Sequence, residues 1–308
     1  MSNPNDTSKT DNRQMTTLQP MELGGILDTA LSLYRNNFRS FLAIISVYIV
    51  WIGLQEALVV WLLEISNTSR LDNLISDVED LLDNLVYMFC VGVFVIASSA
   101  IYLGKPITVR VVLQQFRSQF PIYFGSSLLF LIPYMILTLE SIETSIITLL
   151  SPLSLFSLLF LCVFYISWIF YGHAVLLEGF IAMEAFGRSR ILVRGTWMRV
   201  CSITLAILLL QIGIYYILGG SLGVVFALLG IVQEGSLMEI IGDLLRLEYV
   251  DIRPTSLDSL IMYIVYLGWD AFTLPIYAIG VTLLYFDLRI RKEGFDIEMR
   301  VRNSQDLM

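Results

Sequence analysis

Residues 178–199 read EGFIAMEAFGRSRILVRGTWMR. This is a basic amphipathic segment set between two long apolar runs. Arg188, Arg190, Arg194 and Arg199 fall within three helical turns, and Trp197 leads directly into the next apolar stretch. The pattern apolar-Arg-x-x-aromatic that closes it, Val193 to Trp197, occurs twice earlier, at Tyr34 to Phe38 and at Phe116 to Phe120. Each copy stands just ahead of a run long enough to cross a bilayer. Segments of this kind belong at a boundary between lipid and water, so the runs between them decide the fold.

Working outward, the composition agrees. Of 308 residues, 56% are hydrophobic and 15% charged, against about 25% charged in soluble domains. Mean hydropathy is +0.75, and the apolar residues cluster in stretches near the roughly 20 residues that a spanning helix needs. The class this predicts is an all-α, polytopic membrane protein. Cys90, Cys162 and Cys201 lie in or beside apolar runs without C-x-x-C spacing, which suits small membrane hydrophobes better than a disulfide framework or a metal site. Residues 1–20 are rich in Ser, Thr, Asn and Asp with no apolar core; they read as a disordered tail and not a cleaved leader.

Taken in order, six spans are expected at about 41–65, 85–103, 122–139, 153–176, 200–218 and 260–286. Ahead of the first, Leu23, Ile26, Leu27, Ala30, Leu31 and Tyr34 recur at helical spacing, predicting a short helix in the inner interface. Leu71 to Leu85 marks the apolar face of an acidic amphipathic helix leading to the second span, and Leu237 to Leu245 marks another. Pro106 and Pro121 punctuate the elbow before the third span. Gly219-Gly220 is expected to break the fifth, because helix from Val200 to Val232 would measure about 50 Å against a hydrocarbon core of about 30 Å. Residues 287–308 form a basic tail.

Charge orients the chain. With the N-terminus inside, only Arg70, Arg246 and Arg253 fall in outer loops, whereas the acids of 72–83, Glu64, Glu140, Glu143 and those from Glu234 to Asp258 all lie outside. The Lys/Arg bias sets topology, so both termini are expected in the cytoplasm. Arg35, Arg117 and Arg194 are roughly 80 residues apart, as in a threefold repeat of elbow and helical hairpin.

Gly172 to Gly179, then Arg188-Ser189 and Leu192 to Gly195 with Trp197, resemble a pattern in prokaryotic multi-pass proteins similar to the membrane domain of glycerophosphoryl diester phosphodiesterase. Tyr285 to Asp296 is similar to that group's closing motif and Leu23 to Phe38 to its opening, so the likeness covers nearly the whole chain. It implies a bacterial inner-membrane setting. It implies no chemistry, because the catalytic barrel with its His and acidic metal ligands has no counterpart in a chain with one histidine.

Candidate sites follow from polar groups within spans. Glu56 lies 17 residues after Arg39, and Asp270 lies 17 before Asp287, placing both about 25 Å from the inner edge. Intramembrane acids are functional candidates; with Gln55 and Gln211 they outline a polar pathway, the alternative being that both acids reach outer water. His173 and Glu178 suggest a proton relay or a helix-end hydrogen bond. Gly219 to Gly223 matches G-x-S-x-G, but the only histidine belongs at the opposite side from Ser221, so a small-residue packing seam fits better. The basic elbows, Arg35, Arg39, Arg117, Arg188, Arg190, Arg194 and Arg199, together with Arg289, Arg291 and Lys292, either anchor topology or dock anionic lipid in the bilayer. The acidic outer helices suit a cationic envelope or membrane partner. No catalytic cluster, metal site, cofactor loop or nucleic-acid pattern is read. The function expected is a non-enzymatic membrane scaffold or accessory protein, with a small transporter or lipid-handling permease as the alternative.

Overall fold

The structure is a computed structural model that describes residues 19–65, 69–105, 108–138, 152–228 and 257–305. These are about 90% helical, with no strand among them. The helices are α1 Leu23–Asn36, α2 Phe38–Ile65, α3 Ser69–Tyr102, α4 Val109–Thr138, α5 Pro152–Trp168, α6 Met183–Val193, α7 Trp197–Leu228, α8 Leu257–Glu293 and α9 Phe295–Gln305. Between α5 and α6 the chain makes a helical turn, Tyr171–His173, that runs into a π-helical turn, Ala174–Glu178.

Among the described residues four segments are long and apolar enough to cross a membrane: Phe38–Val59, Leu81–Tyr102, Trp197–Ile214 and Phe272–Glu293. A bent pair, Cys162–Glu178 with Met183–Val193, makes a fifth if counted as one span. These correspond to five of the six expected spans. The remaining one, 122–139, is helical in α4 as far as Thr138, with its side chains from residue 129 onward outside the described residues. The tail 1–18 and the acidic helix expected at 237–245 also lie outside them.

α8 is the post around which the others assemble. From Leu274 to Leu288 nearly every side chain is buried, and α1, α2, α3, α6, α7 and α9 all pack against it. A helix apolar all round is what a bundle centre requires. Its small positions set the approach: at Gly280 an added Cβ would stand 2.8 Å from Ile207 on α7. A second close approach joins α3 to α4, where a Cβ at Gly92 would overlap the Phe116 ring and come within 3.1 Å of Tyr123.

Several expectations change. The helix expected in the inner interface forms, but it is tied along α8. The Met21 N–H reaches Asp287 and the Tyr34 hydroxyl donates to the Phe272 carbonyl (3.0 Å), points about 22 Å apart on α8, so α1 runs antiparallel to it. The acidic amphipathic helix and the second span are one helix, α3. Pro121 does not end the second elbow, because α4 continues through it. Gly219-Gly220 does not break the fifth span: α7 is helical to Leu228. Glycine inside a helix costs only about 1 kcal/mol against alanine, so two of them weaken α7 without ending it. The closing segment, expected as a basic tail, carries five acidic residues against its five basic ones and is built into the fold, since Asp287 to Glu293 completes α8 and Phe295 of α9 is buried. The three motif copies also differ locally: Arg35 ends α1, Arg117 lies within α4, and Arg194 caps α6.

Candidate functional site

The segment quoted at the outset folds back on itself. The arms on either side of Gly179 are bent by 118°, and Gly179 closes the π-turn with φ 79°, a left-handed conformation that costs glycine little. The break at Ile169 and Phe170 leaves backbone groups without helical partners. Ser189 of α6 satisfies both sides, accepting from the Phe170 N–H (3.1 Å) and donating to the Ser167 carbonyl (3.0 Å). Phe186 then packs edge-on against Trp168 and stacks on Tyr171. α6 is thereby fixed against the end of the bundle where α8 terminates.

Two charge clusters occupy that end. The first is centred on Asp287, fully buried on α8. Its carboxylate accepts the Met21 N–H at 2.7 Å, Arg199 at 2.9 and 3.2 Å, and Arg291 Nε at 3.0 Å to each oxygen. Both guanidinium groups also donate to the Met21 carbonyl, Arg291 at 2.9 Å. A carboxylate buried without partners is costly; one with two cations and a backbone donor is compensated. In the second cluster, Arg188 of α6 bridges Glu178 (2.7 and 3.1 Å) and Glu293 (2.8 Å). Arg289 joins Glu293 at 3.2 Å and lies 4.2 Å from the centre of the Phe295 ring. Lys292 completes the end by donating to the carbonyls of Leu192 and Arg194, both at 2.6 Å. It satisfies the C-terminus of α6, whose last carbonyls have no helical donors.

His173 and Glu178 share a neighbourhood without bonding to each other. His173 is buried, its Nε2 lies 3.1 Å from the Thr282 hydroxyl, and Thr282 meets Ser98 at 3.0 Å. Its Nδ1 has no hydrogen-bond partner among the described residues. Tyr285 stands between the two, stacked on the His173 ring at 5.1 Å and donating its hydroxyl to Glu178. His173 and Glu178 are thus linked through contacts with a tyrosine contributed from α8.

The ten basic positions divide into two sets. Arg188, Arg199, Arg289, Arg291 and Lys292 are held in the clusters above. Arg35, Arg39, Arg117, Arg190 and Arg194 are exposed, and their side chains make no hydrogen bond or ion pair among the described residues. Arg190 and Arg194 border a groove of about 560 Å³ between α5, α6 and α7, lined also by Ser167, Gly187 and Trp197.

Of the polar pathway, Gln55 and Gln211 serve different helix pairs. Gln55 is buried, accepts from the Trp51 indole (3.1 Å) and donates to Asp83 of α3 (2.7 Å). Gln211 of α7 donates to Thr273 of α8 at 3.4 Å. Glu56 and Asp270 lie in α2 and α8, with their side chains outside the described residues. Tyr285, Asp287 and Glu293 enter the sequence reading only within the closing motif Tyr285 to Asp296, with Asp287 also marking the span boundary. The available signal was the i,i+4 spacing of Asp287 with Arg291 and of Arg289 with Glu293, which pairs charges on one helix face. No group of three or more His, Cys, Asp or Glu that could hold a metal occurs among the described residues. No family model, curated protein or solved structure matches this chain.

Proposed function

We propose that this chain is a non-enzymatic integral membrane scaffold or accessory protein of the bacterial inner membrane, working through protein partners or lipids. In this reading six spans cross the bilayer and both termini are cytoplasmic. One observation carries it: the basic side chains separate into a set locked into the fold and a set left exposed. Arg199, Arg291 and Arg188 are held by Asp287, Glu178 and Glu293, whereas Arg35, Arg39 and Arg117 are presented outward. A rigid bundle that displays uncompensated cations is suited to binding, since exposed charges steer and orient partners. The resemblance to the membrane part of glycerophosphoryl diester phosphodiesterase supports the same setting.

A second reading, a small transporter or lipid-handling permease, draws on Gln55, a buried amide bonded to Asp83 beside Glu56. The two readings part on the acids. In a strain deleted for this protein, Glu56→Gln/Asp270→Asn is expected to restore the wild-type phenotype if the chain is a scaffold. Loss of complementation by a double variant that inserts at the wild-type level would remove the scaffold in favour of the transporter.

A further inference from the structure

We propose that the groove between α5, α6 and α7 binds the phosphate of an anionic phospholipid through Arg190 and Arg194, with Trp197 at its mouth. The inference rests on the membrane setting proposed above but not on the scaffold role.

The groove differs from the rest of this charged end. Arg188, two residues before Arg190, turns inward to Glu178 and Glu293, and Arg199 is held by Asp287. Arg190 and Arg194, one turn apart, share the opposite face of α6 and keep all their donors available among the described residues. Two guanidinium groups bordering one cavity can grip a phosphate by paired N–H···O bonds. The fold holds this pair in place from behind, because Lys292 fixes the Leu192 and Arg194 carbonyls and Ser189 pins α6 to the break after α5. The Trp197 indole, half-buried, has no hydrogen-bond partner among the described residues, and indoles favour the headgroup level of a bilayer.

The surroundings select a lipid over a free anion. Ile191, between the two arginines in sequence, is 64% exposed and Met198, just beyond them, 75%. The helices that wall the groove continue as exposed apolar surface, with Phe160 and Val163 on α5 and Leu205 and Leu209 on α7. A cationic mouth joined to greasy walls complements a headgroup with its acyl chains. Inorganic phosphate would use only the mouth.

The test is native mass spectrometry of the full-length protein in a mild detergent, titrated with phosphatidylglycerol, phosphatidylcholine or inorganic phosphate. Phosphatidylglycerol adducts are expected to persist well below the concentration at which phosphatidylcholine adducts appear. Arg190→Gln/Arg194→Gln should weaken phosphatidylglycerol binding about thirtyfold, at about 1 kcal/mol for each arginine, while Arg110→Gln, an exposed cation on α4 outside the groove, leaves this site's adduct unchanged. Arg190→Lys/Arg194→Lys should restore part of the loss. Equal phosphatidylglycerol binding by wild type and Arg190→Gln/Arg194→Gln would overturn the proposal, as would equal wild-type binding of the two lipids. Displacement of the lipid by inorganic phosphate at matching concentration would also overturn it, assigning the site to a soluble anion. If Arg190→Gln/Arg194→Gln does not fold, the wild-type comparison of the three ligands decides alone. Partner capture is a separate measurement, so loss of the lipid site would leave the scaffold reading standing.

Discussion

The backbone N–H of Met21 donates to the carboxylate of Asp287 at 2.7 Å, across 266 residues of chain. Through this bond and the two arginines that share the same carboxylate, the start of the described chain, the first turn of α7 and the last turns of α8 become one unit. Asp287→Ala removes the buried carboxylate that Arg199, Arg291 and the Met21 N–H share. The two guanidinium groups keep 29% and 35% of their side-chain exposure and can turn to water, so the loss is that of charged hydrogen bonds, about 1.5–3 kcal/mol. The expected outcome is a large drop in thermal stability in detergent, with faster hydrogen exchange across α1 first.

Lys292 acts more locally. Lys292→Met keeps the apolar stem and removes the donors to the Leu192 and Arg194 carbonyls. Hydrogen bonds from a charged group contribute about 1.5–3 kcal/mol. Exchange should accelerate in the last turn of α6 and at the start of α7, with α2 and α3 unchanged.

Helix approach sets a third expectation. Gly92→Ala would drive a Cβ into the Phe116 ring, and overpacking of this kind costs about 1–3 kcal/mol. Gly125→Ala on α4 meets nothing within 4 Å and should be neutral or stabilising by up to about 1 kcal/mol. Parallel thermal melts of the two variants give the comparison.

Burial pushes the Tyr34 phenol up from 10.0 to about 12. Its folded value lies above its unfolded value, so its contribution is fully present below pH 10 and is lost as pH rises through about 12. Tyr34→Phe, which also removes the bond to the Phe272 carbonyl, should show a shallower loss of stability than wild type across that alkaline window. Identical slopes would mean that the phenol is not held neutral.

Much of the architecture was legible because membrane helices declare themselves by length and composition. Leu23, Ile26, Ala30 and Tyr34 announced α1 by their spacing, and Ile26 and Ala30 are its buried residues. What periodicity does not carry is which span stands at the centre. α8 reads as one apolar run among several, and only packing shows it as the post. Gly219-Gly220 and Pro121 lie inside long helices because each is a weaker break than its residue type suggests: glycine costs a helix only about 1 kcal/mol, and proline removes one hydrogen bond and kinks a helix that can continue past it. The surroundings of His173 and Glu178 were not legible, because Tyr285, more than a hundred residues later, comes between them, and spacing on one segment cannot reveal an insertion from another. The charge bias of the elbows was plain. Its division into locked and exposed arginines depends on which way each helix face turns, and that became visible only once α6 folded back against α8.

The most direct test of the central claim is purification from gently solubilised membranes, comparing wild type, Arg35→Gln/Arg39→Gln/Arg117→Gln and Glu56→Gln/Asp270→Asn. A stoichiometric envelope or membrane partner should accompany wild type and the acid variant, and be lost or weakened with the arginine variant. Wild type recovered without a partner, together with an uptake defect confined to Glu56→Gln/Asp270→Asn, would contradict the scaffold and make the two acids a transport pathway.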